Sequence, residues 1–398
     1  MPFFRNSAIN LLNLHYGIHA IVLNGADAFF LIYLLKTGIP IPGVLVSLAL
    51  IMLCRFIMRP FAIPLGIRFG LRILVIAGTL LTALTYPMLA AVHGVGPALA
   101  VVIMLAAVGS TLYWTAYHAW FALLGDDEHR GQQIGAREAL AAIVSILSPV
   151  LTGWLLIVFG PMVAFGANAI IGAASVLPLL FAPDAPVPPQ VTGVVRAAIP
   201  AMLLFAADGC LGTGNIFVWQ IALFVSVHQN FLGYGSALAF AALVGAVGGM
   251  TLGRHIDAGH GRRAVWYALS VMALMVLLRA AATGNTALAV AANALGSLGY
   301  CLYIPAVMTP IYTMAKRSAC TLRFHVATEG GWDLGGASTL LVAAFMTTYR
   351  VPLSATILLA LPGVAAIAVM LRRYYRVLPV AAGRSSTRPA LRRSGQRM

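Results

Sequence analysis

Charged residues are scarce in this sequence. Only 9% of its 398 residues are charged and 61% are hydrophobic, whereas an ordinary soluble domain carries roughly 25% charged residues. So few charges cannot cover a water-soluble surface, and apolar stretches long enough to span a bilayer as helices follow one another along the chain. Because these stretches lack the period-2 alternation of barrel strands, we predict an all-α membrane protein of about twelve transmembrane helices.

Cysteines and catalytic motifs are also few. The four cysteines form no CxxC pair and are expected to act as small packing residues: Cys54, Cys210, Cys301 and Cys320. The chain has no phosphate-binding loop, nucleophile elbow or HExxH helix, so neither an enzyme nor an ATP-driven pump is expected. We predict no cofactor and no metal, with a His15 and His19 pair, spaced four residues apart, as the one metal-binding alternative.

Acidic residues are outnumbered, with 10 acids against 25 bases and a net charge of +15. The sequence lacks a folded basic domain with interleaved aromatics, so nucleic-acid binding is not expected. Eight of the bases lie after Leu371 and are typical of an anchor at an anionic lipid surface: Arg372, Arg373, Arg376, Arg384, Arg388, Arg392, Arg393 and Arg397. Among the loops, only Lys36, Arg279 and Arg350 fall on the side opposite the other bases. This asymmetry predicts that both termini lie in the cytoplasm. The richness in Ala, Gly and Arg with only two Lys indicates a bacterial protein, which we therefore expect in the inner membrane.

A Pro-rich linker divides the chain almost in half. We predict an N-terminal six-helix bundle over residues 1–182, a cytoplasmic linker over 183–197, a C-terminal six-helix bundle over 198–371 and a basic tail over 372–398. Matching landmarks recur in the two halves: Asp27 and Asp208, Tyr113 and Tyr303, Glu138 and Glu329. Such internal symmetry is typical of transporter folds built from repeats.

The loop after the eighth helix carries the most specific motif. Its sequence GRHIDAGHGRR, residues 253–263, resembles the GxxxDRxGRR loop motif of the major facilitator superfamily, with Ala258 at the second basic position. The first-half copy keeps Arg68, Gly70 and Arg72 but has Ile67 at the aspartate position. The resemblance implies two bundles that rock about a central site and a gating loop formed by Gly253, Asp257, Gly261, Arg262 and Arg263.

Five carboxylates lie in predicted spans, where charge is costly and therefore indicates function: Asp27, Glu138, Asp208, Glu329 and Asp333. We predict that these groups couple transport to protons, since a low dielectric favours the protonated carboxyl and allows loading and release. Asp27 is the first candidate, because it shares a helix face with Tyr16 and His19. The alternative is structural pairing across helices, for example with Arg137.

Aromatic and amide side chains form the predicted substrate site. In the fourth helix we expect Tyr113 and Tyr117 to form a wall of the site, and Trp120 and Phe121 to belong to an interfacial aromatic belt. The complete predicted substrate set is Tyr16, His19, Arg55, Tyr113, Tyr117, Arg137, Asn215, Trp219, Asn293, Tyr300 and Trp332.

The eleventh helix places His325, Glu329 and Asp333 on one face. Two carboxylates on one face repel, so a shared proton is expected unless Arg55 or another base neutralises the pair. In one interpretation Glu329 and Asp333 form a second proton or cation site facing Asp27. In the other, His325 pairs with Glu329 and Asp333 alone is buried.

These features predict a monomeric, proton-coupled secondary transporter. Five acids against two or three bases in the spans favour export of a small cationic or amphipathic compound by antiport. The alternative is a proton-coupled importer of a small organic anion, with Arg55 or Arg137 as the carboxylate clamp.

Overall fold

The computed structural model of the chain describes residues 6–125, 130–256 and 261–377. Within these ranges only the backbone is described for most of 130–139, for 249–256 and 261–264, for 305 and 309, and for 375–377. Every regular element in the described ranges is a helix. The predicted all-α fold is therefore confirmed for this part of the chain.

Six helices precede the linker. They are α1 (Ser7–Lys36), α2 (Ile41–Met58), α3 (Ala62–Ala90), α4 (Pro97–Leu124), α5 (Arg130–Val158) and α6 (Gly160–Ala174). A π-helical turn, Leu23–Asp27, interrupts α1, and a short 3₁₀ turn, Leu177–Phe181, follows α6.

Six more helices follow the linker. They are α7 (Val194–Ser226), α8 (Phe231–Ile256), α9 (Gly261–Ala282), α10 (Thr286–Arg317), α11 (Thr321–Thr348) and α12 (Leu353–Tyr374). A second π-helical turn, Thr213–Val218, interrupts α7. The two π turns begin 190 residues apart, at Leu23 and Thr213, which matches the internal symmetry expected from the sequence.

The helices are long and apolar enough to cross a membrane. Ten segments of the described chain meet that standard. One of them, Ile41–Ala90, is 50 residues long and breaks at Gly70, so it contains two crossings. Helix α11 has 28 residues, enough to cross, but its charges lower its hydropathy. Counting both features gives about twelve crossings, and the chain is a multi-pass membrane protein.

The segment 182–193 runs along one end of the bundle, here named the linker face. The indole N–H of Trp120 donates to the carbonyl of Pro183 at 3.0 Å, and Arg323 at the start of α11 donates to the carbonyl of Pro189 at 2.9 Å. Trp120 is fully buried and Phe121 is 3% exposed. The predicted lipid-facing belt at these two positions is therefore wrong, because the indole binds the linker.

The linker also supplies a carboxylate to the first-half loop motif. Asp184 accepts from the backbone N–H of Arg72 at 3.0 Å and from that of Ala185 at 2.8 Å. Gly70 has φ +79° and ψ 165°, and a Cβ there would lie 1.8 Å from an Asp184 oxygen. In this first-half copy of the motif, where Ile67 stands at the aspartate position, Asp184 of the linker supplies the carboxylate instead.

We expect Gly70→Ala to destabilise the protein by about 1–3 kcal/mol, because this backbone region is nearly restricted to glycine and the methyl group would displace Asp184. Thermal unfolding of the purified protein measures the loss. Gly38→Ala is the matched control, since Gly38 also has positive φ, +90°, but has nothing within 4 Å of its added Cβ. Equal losses in the two variants would show that the Asp184 contact contributes nothing.

Glycines allow the second-half helices to pack closely. A Cβ at Gly331 or Gly335 of α11 would lie 2.1 or 2.0 Å from the carbonyl oxygens of Met202 and Ala206 in α7. The two halves meet mainly where α5 packs on α8 and where α2 and α4 pack on α11. Helix α11 therefore belongs to the second half but also contacts the first, and this arrangement positions the charges described next.

Candidate functional site

A cavity of about 770 Å³ lies between the two halves. Its wall takes residues from α1 to α5 and from α7, α8, α10 and α11. Three carboxylates line it, Asp27, Asp208 and Glu329, together with Arg55 and a set of aromatic rings: Tyr86, Tyr113, Trp114, Phe217 and Trp332. The cavity therefore combines acidic groups with aromatic surface, at the centre of an otherwise apolar bundle.

The π-helical turn of α1 presents Asp27 to this cavity. Asn24 donates from its side chain to the carbonyl of Ala20 at 2.8 Å, and Asn168 of α6 accepts from the backbone N–H of Ala26 at 3.3 Å. These amides satisfy backbone groups that the wider turn leaves without regular helical partners. Asp27, at the end of the turn, is exposed within the cavity, and among the described residues nothing forms an ion pair or hydrogen bond with its carboxylate.

Asp208 enters from the opposite half. It lies one turn before the π-helical turn of α7 and accepts a hydrogen bond from the hydroxyl of Tyr303 in α10. The sequence paired Asp27 with Asp208 as equivalent landmarks, and both line the cavity. Their surroundings differ, since only Asp208 has a hydroxyl donor among the described residues.

Toward the linker face, a buried cluster of ion pairs joins the halves; we name it the α2–α11 charge cluster. Arg55 lies 3.0 Å from one oxygen of Asp333, and Arg59 pairs with the other oxygen. Arg59 also lies 3.4 Å from Glu329 and donates to Thr115 of α4 at 2.9 Å. Arg59 is 1% exposed and Asp333 is fully buried.

His118 of α4 completes the cluster. Its Nδ1 lies 3.0 Å from Oε1 of Glu329. The two arginines offset the two carboxylates, so no shared proton is needed to relieve repulsion between Glu329 and Asp333. The interpretation that pairs His325 with Glu329 does not hold, since both ring nitrogens of His325 lack a hydrogen-bond partner among the described residues.

The predicted residues lie in several different places. Seven of them line the cavity: His19, Asp27, Arg55, Tyr113, Asp208, Glu329 and Trp332. Asp333 lies beneath the cavity in the charge cluster. Tyr16, Tyr117 and Arg137 lie outside the cavity lining, where the Arg137 guanidinium stacks on the Tyr16 ring, 4.8 Å from its centroid, and Tyr16 stacks on Tyr117 at 5.6 Å.

Four more predicted substrate residues form a separate buried group. Arg279 of α9 donates to the carbonyl oxygen and the side-chain oxygen of Asn215 at 2.5 and 2.7 Å and lies 5.2 Å from the Trp219 ring. Asn215 donates to Tyr300 at 2.9 Å, and Trp219 to Asn293 at 3.0 Å. These four residues do not line the cavity, because they bind Arg279 and one another. Arg279, predicted on the side opposite the cytoplasmic bases, lies within α9 and is 4% exposed.

His15 and His19 do not form a metal pair. Nδ1 of His15 donates to the carbonyl of Ser175 at 2.7 Å, and its Nε2 lies 3.2 Å from the hydroxyl of Tyr113. Both ring nitrogens of His15 are therefore engaged by the protein, which leaves none for a metal.

Some predicted residues lie outside the description. Asp257 belongs to the undescribed residues 257–260. For Glu138, Gly253, Gly261, Arg262 and Arg263 the structure gives the helical backbone only, so their predicted roles stay predictions.

Sequence reasoning did not assign His118, Arg59, Trp114 or Phe217 to the site. Arg59 could have been found, since it is a basic residue one helical turn after Arg55 on the same face. The role of His118 depends on a carboxylate 211 residues away, for which the sequence carries no local signal.

Two helical halves that surround a polar cavity at membrane depth define a membrane transport protein. The chain belongs to the Major Facilitator Superfamily, which its sequence matches over residues 16–309, and it is a secondary transporter by fold. No curated protein sequence matches it significantly.

Solved transporters share this fold. One is a POT family transporter crystallised with 5-aminolevulinic acid, with TM-score 0.65, 12% identity, and 92% of this chain and 95% of that chain covered. Another is an auto-inhibited POT family peptide transporter, with TM-score 0.63, 14% identity, and 96% and 99% covered. At these identities the likeness establishes the fold alone.

Proposed function

We propose that this protein is a proton-coupled secondary transporter that exports a small cationic or amphipathic compound by antiport. The observation that carries the proposal is Asp27, a carboxylate exposed in the central cavity with no ionic or hydrogen-bonding partner among the described residues. A carboxylate kept at membrane depth without a structural partner has a functional reason to be there.

Competition at this carboxylate would produce exchange. A proton and an organic cation both neutralise Asp27, and its oxygens cannot hold both at once. If each ligand enters from a different side as access alternates, the binding of one releases the other. Antiport thus needs no second coupling site, although Asp208 in the opposite half offers another acidic contact to the cargo.

The surroundings of the cavity favour a cation over an anion. Arg55, the basic residue of the cavity wall, is already paired with Asp333 at 3.0 Å and lies 5.5 Å from the Trp332 ring. Arg137, the other candidate clamp, does not line the cavity. The rings of Trp114, Phe217 and Trp332 supply the apolar and π surface that suits an organic cation.

We further propose that the linker face lies in the cytoplasm of a bacterial cell and that the protein acts as a monomer. The excess of Lys and Arg on the linker side supports this orientation. Because Arg279 is buried within α9, it does not count as a loop charge on the opposite side, and this makes the excess larger.

Reporter fusions at Ala185 and after Arg384 are expected to report cytoplasm, and fusions at Gly94 and Gly284 the opposite side. An external signal from the fusion after Arg384 would contradict the proposed orientation.

Asp27→Asn is expected to abolish proton-driven transport. The substitution keeps the shape of the side chain but removes the charge and the titratable proton. In inverted vesicles with an imposed pH gradient, ethidium transport is expected in the wild type and not in the variant, while benzoate is not transported by either.

Asp27→Glu is the matched control, since it keeps a carboxyl group at the same position and should retain measurable transport. Proton-driven ethidium transport by Asp27→Asn at the wild-type rate would remove Asp27 from the mechanism. Gradient-driven benzoate transport that ethidium does not inhibit would favour the anion alternative.

A further inference from the structure

A group of three metal-ligating side chains lies beside the charge cluster and is not explained by the proposed transport cycle. His325 and Glu329 stand four residues apart on α11, and His118 faces them from α4. One ligand atom from each of the three residues lies within 4.8 Å of the others. The ring centroids of His118 and His325 are 5.6 Å apart.

His325 is the unusual member of the group. It is 1% exposed, and neither ring nitrogen has a hydrogen-bond partner among the described residues. An imidazole buried in this way loses its hydrogen bonds to water without replacement, which costs stability. Two unpartnered ring nitrogens in a buried imidazole are better explained by a ligand-binding site than by packing alone.

We propose that His118, His325 and Glu329 form a binding site for Zn²⁺ or a similar transition-metal ion that clamps the two halves together at the linker face. Two imidazoles and one carboxylate form a ligand set typical of zinc sites with a fourth position left for water. Residues four apart on one helix present their side chains to the same ion, and His118 supplies a third ligand from the opposite half.

The arrangement around Glu329 is compatible with a bound cation. Arg59 contacts Oε2, whereas His118 contacts Oε1, so Oε1 is the oxygen available to a metal that replaces the hydrogen bond from His118. Arg55 and Arg59 already offset the charges of Glu329 and Asp333, and we therefore expect moderate affinity. Because the ligands come from α4 and α11, the ion would favour the conformation in which the halves meet at this face, and it would inhibit transport.

The test measures Zn²⁺ binding by calorimetry and thermal unfolding, using the purified full-length protein with its affinity tag removed. We expect Zn²⁺ to raise the melting temperature of the wild type, and Mg²⁺, which prefers oxygen ligands, to have no effect. His118→Ala and His325→Gln are each expected to weaken Zn²⁺ binding by about 100-fold or more, since even second-shell partners of metal ligands contribute about 10- to 100-fold.

His93→Ala is the control, because His93 is exposed in the loop opposite the linker face and its loss should leave Zn²⁺ binding unchanged. His325→Gln keeps a polar side chain of similar size, so a folded variant is expected. The X-ray absorption spectrum of the zinc-loaded protein should show nitrogen and oxygen ligands, including imidazole. The proposal is overturned if the wild type is not stabilised by Zn²⁺, or if His118→Ala and His325→Gln bind it as tightly as the wild type.

Discussion

Asp333→Asn is expected to lower the stability of the purified protein by roughly 3–5 kcal/mol, because it removes the buried carboxylate that two arginines share and leaves Arg55 without its ion pair. Arg55 and Arg59 both contact Asp333, which has no solvent exposure. Asparagine fits the space but carries no charge. Thermal and denaturant unfolding in detergent measure the loss.

The matched control is Asp208→Asn, the same substitution in a different environment. Asp208 accepts a hydrogen bond from Tyr303, and an asparagine oxygen can still accept it, so a much smaller loss of stability is expected. Losses of equal size would show that the arginines of the charge cluster do not depend on Asp333.

The cluster also joins the two halves, so Asp333→Asn should change the conformational equilibrium. Its carboxylates come from α11, whereas Arg55 comes from α2 and Arg59 from the short turn just after it. Losing one carboxylate weakens the contact that closes the linker face. A cysteine placed at Ser110, which lines the cavity, should therefore react faster with a bulky thiol reagent added from the linker side.

Much of the fold could be predicted from composition and periodicity. A span of about 20 apolar residues has one stable structure in lipid, a helix that satisfies its own backbone. The chain repeats such spans, and the linker with its prolines separates two sets of six. The boundaries differ locally: α7 begins at Val194, before the predicted Ala198, because Gly193 at φ +78° starts the helix within the linker.

Part of the candidate site was also predictable. Acidic residues at membrane depth are so few that Asp27, Asp208 and Glu329 could be selected by cost alone, and all three line the cavity. The spacing of four residues in α11 placed Glu329 and Asp333 on one face, and Arg55 could be predicted as a base that neutralises them.

The partners across helices could not be predicted. Periodicity gives the face of a helix but not which neighbour it meets, so neither of the two interpretations of α11 included His118 and Arg59, the partners that Glu329 has in the structure. The π-helical turns were also missed, since a local widening of a helix leaves no periodic signal. Asn215 was predicted to belong to the substrate site, but it binds Arg279 instead of lining the cavity.

Arg279 is the centre of a second buried polar group, which holds the π-helical turn of α7. The π-helical turn Thr213–Val218 disturbs the regular hydrogen bonding of α7. Arg279 donates to the backbone carbonyl of Asn215 and to its side-chain oxygen, at 2.5 and 2.7 Å. No carboxylate pairs with Arg279 among the described residues. Gly296 of α10 leaves room for it, since a Cβ there would lie 2.2 Å from the guanidinium.

Arg279→Met is expected to destabilise the protein by about 2–3 kcal/mol, because two buried oxygens of Asn215 lose a charged donor and a buried acceptor without a partner costs about 1–3 kcal/mol. Relief of the cost of burying the cation offsets only part of this loss. Arg279→Lys should lose less stability, since its ammonium can still donate to one of the two oxygens but lacks the planar fork.

Gly296→Ala tests the same contact from α10 and should also destabilise the protein, because the guanidinium must move away from Asn215. Thermal unfolding of the three variants beside the wild type measures the order. If Arg279→Met proves as stable as the wild type or more so, then burial of the uncompensated cation costs more than its bonds to α7 contribute, and the π-helical turn does not depend on Arg279.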